Sequence, residues 1–148
     1  MIPDFFLDMP DPLTIEKNFN KSVSELRDKG FTGDNVVMAG HSLGAAVMQD
    51  LPLNNPQLVK AQILMAANLR LKNIHINDQG KSELDWKIPS LTIFGDTDGL
   101  ERISRAVVSQ WHQIDNIDPS QAGQFPVVVL NGVAHHSFMG DAPYPAFV

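Results

Sequence analysis

Cysteine is absent from this chain of 148 residues. Its absence excludes disulfides, thiolate metal ligands and a cysteine nucleophile. Long apolar runs are missing as well, and a transmembrane helix needs about 20 consecutive apolar residues. The first residues carry acidic side chains where a secretory signal would carry basic ones. The sequence therefore predicts neither a membrane span nor a signal peptide, and it leaves the location of the protein unassigned.

Basic side chains are in the minority. Eleven Lys and Arg residues stand against seventeen Asp and Glu residues, which gives a net charge of -6. Nucleic-acid binding needs clustered Lys and Arg, and no such cluster is visible, so we expect no nucleic-acid partner. With 43% hydrophobic and 19% charged residues, the composition is that of a globular protein. We expect a single domain over residues 1–148.

Short apolar segments alternate with helical patterns along the chain. Four apolar segments predict strands: residues 35–39, 61–65, 90–94 and 125–130. We expect the first of them to be buried on both faces and the second to be buried as well. Three patterns predict helices: residues 15–29 with Thr14 as the cap, residues 43–51 ending before Pro52, and residues 100–114. A small hairpin is expected between residues 66 and 89, with its turn at residues 78–80. Strands that alternate with helices indicate an α/β fold with a parallel sheet.

Residues 40–44, GHSLG, match the pattern Gly-x-Ser-x-Gly between a predicted strand and a predicted helix. Such a junction lifts the hydroxyl of Ser42 above the sheet edge. We expect a side chain at Gly40 or Gly44 to collide with its surroundings, and His41 to pack or hydrogen-bond locally. The helix that begins at Leu43 would aim free backbone N–H groups at the same place. The pattern predicts that Ser42 is a nucleophile.

A serine hydroxyl becomes a good nucleophile only when a nearby base takes its proton. Two acids, Asp96 and Asp98, follow the third predicted strand, and two histidines, His135 and His136, follow the fourth. Because ligand and catalytic groups gather at the carboxyl ends of parallel strands, one acid and one histidine are expected beside Ser42. The spacing itself leaves open which member of each pair is used.

Together, residues 40–44, 94–100 and 131–135 resemble the α/β-hydrolases of the serine esterase and lipase type. The resemblance extends from residue 15 to about residue 139. In such enzymes the acid commonly stands three residues after the strand-ending glycine, and the histidine three after its own glycine. The resemblance thus implies Asp98 and His135 as partners of Ser42, and the backbone N–H of Leu43 as an oxyanion donor. It implies no cofactor.

The strands that precede the serine in this fold have no counterpart here. Only one predicted helix comes before residue 35, so the resemblance implies that the chain is the last four strands of an eight-stranded sheet. The loop that supplies a second oxyanion donor would then lie outside it. The strand before Ser42 becomes a sheet edge, and such edges invite self-association.

The sequence predicts a serine hydrolase that cleaves a small carboxylic ester through Ser42, His135 and Asp98. One alternative is a truncated or non-catalytic hydrolase-like module that binds an apolar ligand or a protein. Another is acyl transfer to an acceptor other than water. Consecutive histidines lack the spacing of metal ligands on a helix, so no metal is expected.

Overall fold

The computed structural model describes residues 11–69, 74–76, 82–84, 88–116 and 119–140. The chain divides into two compact units, Met1–Asp34 and Asn35–Val148. The helices are α1 (Pro12–Asp28), α2 (Ser42–Met48), α3 (Asp50–Asn54) and α4 (Ile103–Asn116), with short 3-10 helices at Pro119–Gln124 and His135–Met139. The strands are β1 (Val36–His41), β2 (Val59–Met65), β3 (Ile74–Ile76), β4 (Ser82–Leu84), β5 (Ser90–Gly95) and β6 (Val127–Leu130).

Helix α1 of the first unit begins earlier than the sequence predicts. The carboxylate of Asp11 accepts hydrogen bonds from the backbone N–H groups of Leu13 and Thr14, each at 3.2 Å. These bonds, the one from Leu13 foremost, lower the pKa of Asp11. Pro12 suits the first helical position, where no backbone donor is needed. The prediction that Thr14 caps the helix is therefore wrong, because Asp11 already does so.

The second unit is built on a four-stranded sheet with the order β1-β2-β5-β6. Every neighbouring pair in this sheet is parallel. The predicted α/β class with flanking helices is confirmed. Parallel pairing brings the carboxyl ends of β1, β5 and β6 to one edge, which is where the three candidate motifs begin.

Burial is concentrated in the two inner strands of this sheet. Val59 and Leu64 of β2 are fully buried, and Phe94 of β5 is almost so. The expectation that the strand before Ser42 is buried on both faces is wrong, because Val37 of β1 is 58% exposed. Strand β1 is an outer strand among those described, and it packs chiefly on β2 and α2.

Two predicted helix boundaries also differ in the structure. Pro52 does not end the helical region, because it occupies the third position of α3, in the first turn, where a backbone N–H has no partner within the helix. Helix α4 begins at Ile103 and not at residue 100. The backbone N–H groups of Leu100 and Glu101 instead donate to the side chain of Asp98, which holds this stretch in a turn.

The expected hairpin is present. Strands β3 and β4 pair antiparallel, with His75 opposite Glu83. Its predicted turn at residues 78–80 lies outside the described residues.

One buried side chain of β2 uses only part of its hydrogen-bonding capacity. Gln62 is 1% exposed, and its Nε2 donates to Ser90 Oγ at 2.9 Å. Its Oε1 has no hydrogen-bond partner among the described residues. Because a buried polar atom without a partner costs about 1–3 kcal/mol, we expect Gln62→Met to raise the free energy of unfolding by about 1 kcal/mol in urea denaturation. Ser90 keeps its own acceptor, the carbonyl of Ile88 at 2.8 Å.

Gln49→Met is the matched control. Gln49 is equally buried, but its Nε2 donates to the carbonyls of Ala45 and Asn68. Its replacement removes satisfied bonds, so we expect a loss of about 1–3 kcal/mol. A destabilised Gln62→Met protein would contradict the first expectation.

Candidate active site

The junction between β1 and α2 is as tight as a strand-to-helix turn can be. Strand β1 ends at His41 and helix α2 begins at the next residue, Ser42. Ser42 has a φ of 53°, in the left-handed region that costs a non-glycine residue about 1–3 kcal/mol. A Cβ at Gly40 would lie 2.8 Å from backbone atoms of Ala45 and from Met48 Sδ. The strand can approach the helix this closely because residue 40 is glycine.

Gly44 behaves differently from Gly40. A Cβ built on Gly44 meets no atom of the described residues within 4 Å. The prediction of a collision at this position is wrong, because the first turn of α2 is exposed on this side. The neighbouring Leu43 side chain is half exposed as well.

Three polar side chains from three different strand ends form one hydrogen-bonded row. His135 Nε2 lies 2.7 Å from Ser42 Oγ, and His135 Nδ1 lies 2.8 Å from Asp98 Oδ2. The carboxylate can only accept, so Nδ1 carries the proton and Nε2 is the nitrogen free to accept from the serine hydroxyl. The Asp98 side chain is completely buried, and that of His135 is 12% exposed. The row contains the three residues that the resemblance selects.

The other member of each pair lies elsewhere. Asp96 Oδ1 accepts from the backbone N–H of Gly132 at 2.6 Å, so this side chain connects the end of β5 to the turn after β6. His136 is exposed, and its neighbour His135 occupies the place between Ser42 and Asp98. Asp96 therefore supports the loop that carries His135.

A close backbone approach holds the acid and histidine loops together. A Cβ on Gly95 would lie only 1.9 Å from the carbonyl oxygen of Val133. That same oxygen accepts from the backbone N–H of Thr97 at 3.2 Å. Sequence reasoning treats Gly95 only as the end of a strand, since the contact joins residues 38 positions apart in the chain.

His41 contacts the histidine loop directly. Its Nε2 lies 2.7 Å from the backbone carbonyl of His135 and donates to it. The two imidazole rings have centroids 4.9 Å apart, and the ring centroid of Phe138 lies 5.6 Å from that of His41. His41 does form a hydrogen bond, but with a residue 94 positions away in the chain and not locally as expected. The bond ties the loop of His135 to the strand that precedes Ser42.

The first turn of α2 adjoins this row. Helix α2 begins at Ser42, so the N–H of Leu43 lies in the first turn and has no partner within the helix. The positive end of a helix favours negative charge at this place. The arrangement could stabilise an anion that forms next to Ser42.

Sequence reasoning missed two further polar residues near the row. Asn68 Nδ2 donates to Glu101 Oε1 across 33 positions of sequence. Burial raises the pKa of Glu101, and Asp98 adds to this effect while Arg105 and His135 oppose it. No sequence motif marks this pair.

Among the residues that the structure describes, no cluster of three or more His, Asp or Glu side chains could bind a metal ion. None of the described helices has the length and hydrophobicity required to cross a bilayer.

No protein-family profile and no curated protein matches the sequence, whereas solved structures match the fold. A predicted CIB-like hydrolase from Thermoplasma acidophilum matches with a TM-score of 0.58 and 14% identity over 91% of this chain. An alpha-beta serine hydrolase homologue from Coxiella burnetii matches with a TM-score of 0.55 and 16% identity over 86% of this chain. Est1E from Butyrivibrio proteoclasticus matches with a TM-score of 0.54 and 16% identity over 86% of this chain.

These similarities define the fold as that of the α/β-hydrolases. The chain spans 56%, 53% and 65% of the lengths of those three structures, respectively. The chain thus corresponds to part of each of these proteins.

Proposed function

We propose that this protein is a serine hydrolase that cleaves carboxylic esters through an acyl-enzyme. The observation that carries the proposal is the continuous hydrogen-bonded row from Ser42 Oγ through His135 to the buried Asp98. A serine beside an imidazole, with a carboxylate on the other ring nitrogen, is the arrangement of a nucleophile, its base and the group that orients the base. The α/β-hydrolase fold of the chain supports the same assignment.

The proposed reaction proceeds in two halves. Ser42 Oγ attacks the carbonyl carbon of the ester while its proton passes to His135 Nε2. The tetrahedral intermediate collapses, the C–O bond to the alcohol breaks, and the leaving oxygen takes the proton from Nε2. Water then attacks the acyl-enzyme, gives its proton to Nε2, and the acid leaves as Ser42 recovers that proton.

Two features support stabilisation of the transition state. Asp98 holds His135 in the tautomer that can accept from Ser42, and its negative charge favours the imidazolium that forms. The backbone N–H of Leu43 is the proposed oxyanion donor, because it is unpaired within α2 and adjacent to the nucleophile. Removal of one such donor typically costs about 100- to 1,000-fold in kcat.

Covalent labelling tests the proposal. We expect a fluorophosphonate probe to add one phosphonyl group to the full chain, at Ser42, as read by intact mass and peptide mapping. Ser42→Ala should abolish both the labelling and the hydrolysis of p-nitrophenyl acetate, because the Ser42 hydroxyl supplies the attacking oxygen. Ser104→Ala, at an exposed position of α4, is the matched control and should label like the parent.

A folded parent protein that neither labels nor hydrolyses the ester would refute catalysis and favour a non-catalytic binding module. Labelling without net hydrolysis, but with ester exchange when an alcohol is added, would instead identify acyl transfer.

A further inference from the structure

Glu101 forms hydrogen bonds both to Asp98, the predicted acid, and to a second loop. Its backbone N–H donates to Asp98 Oδ1 at 2.8 Å. Its side-chain Oε1 accepts from Nδ2 of Asn68, which lies in the loop after β2. Asn68 and Glu101 thus join the loop after β2 to the turn after β5.

The connection continues to the helix that starts at the serine. The backbone carbonyl of Asn68 accepts from Gln49 Nε2 at 3.0 Å. Gln49 directly follows α2 and is completely buried. A continuous path of hydrogen bonds therefore runs from the end of α2, through Asn68 and Glu101, to the carboxylate of Asp98.

We propose that Asn68 and Glu101 are positioning residues that hold Asp98, and through it His135, in line with Ser42. The inference rests on the proposed function. Asp98 Oδ1 is held by the backbone N–H groups of Leu100 and Glu101, so any movement of this turn also moves Oδ2, which faces His135. A displacement of about 1 Å in a catalytic group can cost about 100-fold in rate.

The surroundings of Glu101 indicate why its side chain needs a fixed partner. Burial opposes its negative charge, and the nearby Asp98 carboxylate opposes it further, whereas Arg105 and His135 favour it. A half-buried carboxylate in such a field is stabilised by a directed donor, and the amide of Asn68 supplies one. Without that donor, the side chain would turn towards water and release the turn that holds Asp98.

Truncation of either partner tests the connection. We expect Asn68→Ala and Glu101→Ala each to lower kcat for p-nitrophenyl acetate by about 10- to 100-fold, with KM within about twofold of the parent. The double variant should lose no more than the worse single variant, because both changes break the same bond. Glu101→Gln is the conservative control: its amide oxygen can still accept from Asn68, so kcat should stay within about threefold of the parent. The proposal would be overturned if the losses of the two single variants multiplied in the double variant, or if kcat were unchanged in both single variants.

Asn68→Asp provides a pH-dependent readout with almost no change in shape. It places a carboxylate opposite Glu101, and two facing carboxylates are stable only when they share a proton. We expect the ratio of the variant's kcat to the parent's to be lowest at alkaline pH and to rise as the pH falls. A ratio that does not change with pH would mean that the pair serves only general packing, and would overturn the proposal.

A spectroscopic measurement separates this inference from the proposed function. We expect the proton on His135 Nδ1, in its bond to Asp98, to give a low-field NMR resonance whether or not the protein hydrolyses an ester. We expect this resonance to be retained in Glu101→Gln and to shift or broaden in Asn68→Ala. An inactive parent protein with these NMR changes would refute the proposed function alone. Unchanged resonances in both alanine variants of a folded protein would refute the positioning role alone.

Discussion

Asp98→Asn is expected to lower kcat for ester hydrolysis by about 10⁴-fold while the protein remains folded. The geometry determines how the new amide would sit. Asp98 Oδ1 accepts from two backbone N–H groups, those of Leu100 and Glu101, so the amide oxygen of an asparagine must stay on that side. Its NH₂ group then faces His135 Nδ1, at the place where Oδ2 now accepts.

The consequence is a change of tautomer at His135. A donor opposite Nδ1 requires that nitrogen to be unprotonated, which moves the proton to Nε2. Nε2 can then no longer accept from the Ser42 hydroxyl, and the serine loses its base. We expect kcat for p-nitrophenyl acetate, measured by steady-state kinetics, and the rate of fluorophosphonate labelling to fall together.

Asp96→Asn is the matched control for this prediction. Asp96 uses one oxygen to accept from Gly132 N–H, and an asparagine can present an oxygen to the same donor. We expect kcat to change by less than about threefold, because the bond that supports the loop is retained. A large loss in Asp96→Asn together with a mild effect of Asp98→Asn would assign the acid to Asp96 instead.

Gly95→Ala is expected to destabilise the fold by about 3 kcal/mol or more, since the added carbon overlaps backbone atoms. The new Cβ would lie 1.9 Å from Val133 O and 2.6 Å from Val133 C. Neither atom can move like the end of a flexible side chain, so the loop that leads to His135 must shift. We therefore expect labelling of Ser42 to be lost as well, even in the fraction that folds. Urea denaturation and fluorophosphonate labelling measure the two effects separately.

Gly44→Ala provides the comparison, because it adds the same methyl group where no described atom lies within 4 Å. Gly44 is inside α2, where alanine is favoured over glycine by up to about 1 kcal/mol. We expect an unchanged or higher free energy of unfolding. A Gly95→Ala protein as stable as the Gly44→Ala protein would show that the close approach of the two loops is not required.

Much of the fold could be predicted from local sequence patterns. Apolar segments bounded by glycine and polar residues predicted all four strands of the parallel sheet, but only the two inner strands are buried as such runs indicate; residues 127–130 of β6 are exposed like Val37 of β1. The hairpin also followed from turn residues between short alternating segments. Boundaries were less accurate where a side chain accepts from backbone N–H groups near a helix start. Asp11 caps α1 and so begins it earlier, whereas Asp98 holds Leu100 and Glu101 in a turn before α4.

The sequence by itself determined which reactive side chains are available and in what order: a serine at a strand-to-helix junction, then an acidic loop, then a histidine loop. Those signals are local, since each depends on one strand end and the few residues after it. Only the tertiary structure placed Asp98, rather than Asp96, against His135, and gave Asp96 its role in supporting the loop. The contact of Gly95 with Val133 and the bond between Asn68 and Glu101 also belong to the tertiary structure. Each joins residues more than 30 positions apart, and such pairings depend on how strands are arranged in space, which no local pattern encodes.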